Sequence, residues 1–201
     1  MRHAVVATVS LEGERVLLSA PTIDDADVDA ITSCCQQHSV QRWTTVPSPY
    51  SRADALGFVS AFVPAGWEAG TTRTWAIRVG EPRTLVGMIG LDRIAGGCAE
   101  IGFWLSEQHR GLGLMTEAVR LVCDHSFSVD GLGLQRVEWR GFVGNTASAS
   151  VARRAGFRFE GTQRLGAVQR GTRLDVWSAA LLSTDTRNPA ADWPPQTATP
   201  A

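Results

Sequence analysis

From residue 108 to 118 the chain reads Gln-His-Arg-Gly-Leu-Gly-Leu-Met-Thr-Glu-Ala. This glycine loop opens directly into an apolar-periodic run from Leu114 to Phe127 that predicts an amphipathic helix. The first N–H groups of a helix lack internal partners, and the aligned peptide dipoles add partial positive charge there. Such a terminus binds anions. Gly111 and Gly113 carry no Cβ, so the backbone can close around a bulky phosphate, and Arg110 adds a positive fork. Gln108 leads into the loop, and donors from Arg110, Gly111, Leu112, Gly113, Leu114, Met115 and Thr116 suit a pyrophosphate. Two other phosphate motifs are excluded. A P-loop ends in Gly-Lys-Ser/Thr, and this chain has no lysine. A Rossmann fingerprint needs a third glycine where Thr116 stands, and no acidic residue closes the next strand at the usual distance.

The spacing Gln108-x-x-Gly111-x-Gly113 resembles the acetyl-CoA pyrophosphate loop of the GNAT superfamily of N-acetyltransferases. Two further stretches resemble the same group. Asn145-Thr-Ala-Ser148 leading to Gly156-Phe157 and Glu160-Gly161 is similar to its second signature. Gln41-Arg-Trp43 through Pro47-Ser-Pro49-Tyr50 resembles the acceptor-side loop of the branch containing the ribosomal-protein alanine and serine N-terminal acetyltransferases. The resemblance runs from about Arg15 to about Leu182. It implies one α/β (α+β) domain over residues 1–183, with a mixed sheet of about six or seven strands and about four helices. Acetyl-CoA would be the cosubstrate, lying in the splay between the fourth and fifth strands. A primary amine, either a small molecule or a protein N-terminus, would take the acetyl group by direct attack in a ternary complex. No metal is implied.

That reaction needs a proton acceptor for the amine, stabilisation of the thioester oxygen, and a proton for the departing thiolate. No Cys or Ser stands beside an evident His base, so nothing indicates a covalent acyl-enzyme. In the resembling family pantetheine lies as a pseudo-strand along the first splayed strand. Backbone groups around Phe103, Trp104 and Leu105 are then its partners, while the Phe103 and Trp104 side chains read as packing. Strand alternation puts Glu100, Gly102 and Trp104 on one face. Glu100 is the candidate base, acting through a water, or else an exposed residue pairing with an arginine. Asn145 and Ser148 are three apart on one helix and share a face. The resemblance gives Asn145 a contact to CoA and places Ser148 near the thiol sulfur as its acid. Asn145 is equally explained as a helix N-cap. The only tyrosine is Tyr50, which favours Ser148 for the acid, and Ser150 is expected to face elsewhere.

Other residues have more open readings. Arg153 and Arg154 reach the 3′-phosphate of CoA or lie solvated, and His109 is a second anion contact or exposed. Trp43, Pro47, Pro49 and Tyr50 form a rigid aromatic loop that walls an acceptor cleft or lids the core. Asp175, in the last hairpin, orients an ammonium or braces the sheet. A second function class, a catalytically silent acyl-CoA sensor or interaction module, shares the loop but needs neither Glu100 nor Ser148.

The elements that must hold these groups are legible in outline. Strands are predicted at Glu14–Ser19, Thr74–Val79, Leu85–Leu91, Ala99–Leu105, Leu134–Trp139, Phe157–Leu165 and Thr172–Leu182. The second to fourth should form an antiparallel meander. A helix starts near Asp24, capped by Thr22 or Asp24. Ser51 caps another, from Arg52 to Phe62 or beyond, with Leu56, Phe58, Val59 and Phe62 as its apolar face. The helices at 114–127 and 145–155 complete four. Strand, helix and strand across 99–140 require a right-handed crossover between parallel strands. This sets the glycine loop at the carboxyl end of a strand, where α/β sheets bind ligands. From Thr184 the Pro- and Thr-rich tail to residue 201 is expected to be disordered.

Composition narrows the function classes. Nineteen basic and 20 acidic residues leave a net charge of −1, so no broad field favours nucleic acid or an anionic membrane. Cys34, Cys35, Cys98 and Cys123 form no C-x-x-C pair and read as reduced thiols, with a reactive Cys34 or Cys35 as the alternative. His3, His38 and His125 lack partners at metal-ligand spacing. With no signal segment and no apolar run of membrane-spanning length, the expectation is a cytoplasmic protein, monomer or homodimer.

Overall fold

A computed structural model describes residues 8–197; His3 and residues 198–201 lie outside them. One sheet of eight strands runs through the chain in the order β1-β2-β3-β4-β5-β6-β8-β7. The strands are β1 (Leu11–Glu12), β2 (Leu17–Ser19), β3 (Arg73–Val79), β4 (Thr84–Ala95), β5 (Cys98–Leu105), β6 (Arg136–Phe142), β7 (Arg158–Gln169) and β8 (Thr172–Leu182). The meander β3-β4-β5 is antiparallel. β5 and β6 are parallel, because helix α5 (Leu114–Phe127) crosses between them. The extra strand is β1, a two-residue edge too short to carry a periodic signal.

Both faces of the sheet are covered where the strands alternate apolar residues. Trp75, Ile77 and Ile89 point into the larger core with α5 and the later helix α6 (Thr146–Arg154). Ala76, Leu85 and Met88 point into a second core, against α1 (Asp25–Gln36) and α3 (Arg52–Gly57). A short helix α2 (His38–Trp43), absent from the sequence reading, follows α1. Its six residues span under two turns, too few for a visible period.

The second expected helix begins as anticipated, with Ser51 and Asp54 forming a reciprocal capping box. Its apolar face is in part the expected one, since Val59 is buried and Phe58 packs against both cores. A π turn at Phe58–Phe62 joins α3 to α4 (Val63–Ala69) and rotates the face, as one extra residue per turn must. Val59, Val63 and Trp67 are buried, while Leu56 and Phe62 are 41 % and 53 % exposed.

At the start of α1, Asp27 rather than a cap residue carries the anchoring. Its carboxylate takes two bonds from Arg78, at 2.6 and 2.8 Å, and a third from the Thr22 N–H at 2.7 Å. Burial alone raises the carboxyl pKa, but the arginine and the N–H outweigh it and hold it below the usual range.

The segment after Thr184 also differs from the sequence reading. Residues 184–197 lie against the domain. The Trp193 indole packs 5.6 Å from Trp139 and 5.5 Å from Phe159, and its N–H donates to the Phe157 carbonyl at 2.8 Å. Arg187 sits over the Phe127 ring, and Thr197 is buried. One tryptophan and one arginine anchor a stretch whose average composition reads as unstructured.

Candidate active site

The site starts where two strands part. β5 and β6 pair from Cys98↔Arg136 to Ile101↔Trp139 and no further. Beyond that point β6 stays with β8 through Phe142, while β5 stays with β4 through Leu105. The facing edge of Gly102–Leu105 is left without a strand partner, and unpaired backbone groups there need another partner. A cleft of about 320 Å³ occupies the gap, in the range of small-molecule sites.

The glycine loop closes one end of this cleft. After a 3-10 turn at Glu107–His109, Gly111 and Gly113 take left-handed φ of +77° and +81°. Gly113 is itself the N-cap of α5. An outside clamp holds the loop. The Glu117 carboxylate, in the first turn of α5, accepts the Arg15 N–H at 2.8 Å and the Arg15 guanidinium at 2.9 Å. The same guanidinium donates to the Leu112 carbonyl at 2.7 Å. Burial raises the Glu117 carboxyl, but these donors more than reverse it and hold it low. The Arg110 fork is fixed in place, since two of its nitrogens bond the Leu105 carbonyl at 2.9 and 2.8 Å. It ties the loop to the end of β5 while still lining the cleft.

Across the gap stands the start of α6. Asn145 is its N-cap, with Oδ1 accepting the Ser148 N–H at 3.2 Å, so the capping role is real and leaves the amide nitrogen available. The Ser148 hydroxyl accepts the Trp139 indole N–H at 3.0 Å. Asn145 and Ser148 both line the cleft. Ser150, expected to face elsewhere, lines it too, as does Arg154 rather than Arg153. A helix face spans more than a strict three-residue step, and the cleft wraps around this one.

Of the remaining expected residues, Phe103, Trp104, Leu105, Leu114, Met115, Thr116 and Trp43 line the cleft, while Gln108 and Leu112 do not. Ser39, Val40 and Thr44, which carry no motif in the sequence, are brought to the wall by α2 and its C-cap, and His109 lines the cleft with its Nδ1 2.7 Å from the Ser106 hydroxyl. Trp43 is held in place by the β7–β8 hairpin. The Gln169 side-chain amide donates to the carbonyls of Arg42 and Thr44 at 2.9 and 2.7 Å.

Three expected residues lie elsewhere. Tyr50 is a core residue, 6 % exposed, packed in the second cluster rather than on the cleft. Asp175 is exposed, and its carboxylate accepts the Leu165 N–H at 2.7 Å, where β7 bulges; it braces the hairpin. Glu100 is on β5 one residue before the strands part, outside the cleft lining, with its carboxylate engaged by Arg93 and 3.8 Å from Arg140. As for the thiols, burial pushes Cys34 up and Cys35 up to about 12, so neither is a ready nucleophile near neutral pH.

Comparison with known proteins decides between the α/β folds that join a strand to a helix by a glycine loop. The acetyltransferase (GNAT) domain family matches residues 15–158, from the Arg15 clamp through β5, the loop and α6. The chain belongs to the GNAT family. It is 30% identical over 168 residues to the uncharacterized N-acetyltransferase YoaA of Bacillus subtilis, covering 83% of this chain and 92% of the relative. A shorter match, 38% identical over 79 residues, is to the ribosomal-protein-serine acetyltransferase of Escherichia coli, covering 38% of this chain and 43% of that protein. In fold it is similar to Mycobacterium smegmatis RimJ in complex with CoA-disulfide. That likeness has a TM-score of 0.74 at 22% identity, over 83% of this chain and 81% of the other. This GNAT protein is therefore an N-acetyltransferase. Among its described residues no helix is long and apolar enough to cross a membrane.

Proposed function

We propose that the cleft holds acetyl-CoA, with its diphosphate on residues 110–116 and its thioester where β5 and β6 part. The acetyl group passes to a primary amine that attacks directly in a ternary complex. The carrying observation is the meeting, in one cleft, of a helix N-terminal glycine loop, an unpartnered strand edge and the Ser148 hydroxyl. The loop supplies donors for the anionic end, and the edge supplies backbone groups for the pantetheine amides. Ser148 protonates the departing thiolate. The acceptor enters past Trp43 and is a small amine or a protein N-terminus. Thiol release from acetyl-CoA across a panel of amines and N-terminal peptides tests this. Release with at least one acceptor is expected, and binding without release across the panel contradicts it.

Glu100 is proposed to take the amine's proton through water, since it stands beside the point of strand separation. Its pairing with Arg93 and Arg140 gives it a structural occupation as well, so the experiment must separate the two. Glu100→Gln is expected to slow turnover at neutral pH and to alter the acidic limb of the pH–rate profile, with acetyl-CoA affinity unchanged. An unaltered profile removes Glu100 from the mechanism.

A further inference from the structure

Trp139 is 1 % exposed, and an indole has a single polar atom, which can only donate. That donor reaches the Ser148 oxygen at 3.0 Å. A hydroxyl that accepts from one side keeps its own hydrogen for another partner. Among the described residues no protein acceptor takes it, while Ser148 faces the cleft. A donor aimed at the oxygen also stabilises negative charge that develops there, which makes the hydroxyl a better acid.

The pose of the indole is fixed from two further directions. A Cβ at Gly141 would lie 2.5 Å from Cζ2 and 2.8 Å from Cη2 of the ring, so only glycine two residues on lets the indole lie along its own strand. From outside, the Trp193 ring packs 5.6 Å away, tied down by its bond to Phe157. Packing alone does not ask for the N–H, because a phenylalanine would fill most of the same space.

We infer that Trp139 is a positioning residue for protonation of the leaving group, and that the C-terminal segment, through Trp193, holds the indole in that pose. The inference rests on the reading of Ser148 as the acid. As the amine forms its C–N bond, the C–S bond breaks and the sulfur takes the Ser148 hydrogen. The Trp139 N–H stabilises the oxygen left behind until solvent reprotonates it, and the new amide nitrogen gives its surplus proton through water to Glu100.

Single-turnover acetyl transfer, calorimetric titration with acetyl-CoA and thermal melting should be measured for Trp139→Phe, Trp193→Ala, Ser148→Ala and the doubles with Ser148→Ala. Loss of one hydrogen bond to the acid predicts a rate about fivefold lower in Trp139→Phe, with acetyl-CoA affinity within about twofold. Trp193→Ala should slow transfer in the same sense. Neither change should slow transfer further once Ser148 is alanine, a coupling that loss of packing would not produce. Parent-like rates in both tryptophan variants, with Ser148→Ala slow, overturn the inference alone, as do additive losses in the doubles. A parent-like rate in Ser148→Ala instead removes the acid reading on which it rests. Should Trp139→Phe fail to fold, Trp193→Ala, outside the sheet, carries the same comparison.

Discussion

Ser148→Ala should slow single-turnover acetyl transfer about a hundredfold, the low end of what a positioned general acid contributes. Acetyl-CoA affinity should stay within about twofold, because the α6 cap uses the Asn145 side chain and the Ser148 backbone N–H, which alanine keeps. The substitution also strands the Trp139 indole N–H in the core. An unpaired buried donor costs about 1 to 3 kcal/mol, so a fall in melting temperature of several degrees should accompany it. The two effects are separable, since thermal loss at a temperature well below the transition leaves the rate per folded molecule untouched. Transfer within twofold of the parent would falsify the acid role.

Gly113→Val should weaken acetyl-CoA binding at least thirtyfold, on the order of 2 kcal/mol. The residue sits at φ +81° as the N-cap of α5, a conformation that a β-branched side chain visits only at considerable cost. Valine therefore drives the loop out of shape where its N–H groups are proposed to converge on a diphosphate. It also presses on the clamp, because a Cβ there lies 3.2 Å from an Arg15 nitrogen. Stability should fall less than affinity, because the loop is exposed and α5 keeps Leu114, Met115, Ala118 and Val119 in the core. Calorimetric titration and thermal melting of the same protein check this. Parent-like affinity would place the diphosphate elsewhere.

The parts of this site legible in the sequence are those written in local backbone chemistry. A glycine pair before an amphipathic run gave the loop and the start of α5, and an Asn before an alanine- and serine-rich run gave the α6 cap. The parallel β5–β6 pair followed from handedness once the strand, helix and strand were placed. Contacts between distant segments were not legible. Nothing near Trp43 announces that Gln169, over a hundred residues away, fixes its helix end. Tyr50 stands in a proline-rich stretch that reads equally as a cleft wall or a lid on the core, and only packing against distant segments assigns it to the second core. Beyond the π turn at Phe58–Phe62 the buried positions shift to Val63 and Trp67, leaving exposed the Phe62 that a 3.6-residue period puts on the apolar face. Arg110 shows the same limit at an active site: its charge was legible, and its tie to the Leu105 carbonyl was not. Trp193 was hidden by averaging, one anchor in a tail of proline and threonine.

Acetyl-CoA is proposed to lie between the loop at 110–116 and the free edge of β5. Backbone amide shifts followed by NMR while the isotope-labelled protein is titrated with acetyl-CoA test it most directly, because each affected residue reports its own position. Saturable shifts concentrated at Gly111–Thr116, at Phe103–Leu105 and at the start of α6 are expected. Saturable shifts centred elsewhere, with these three segments unmoved, would contradict it.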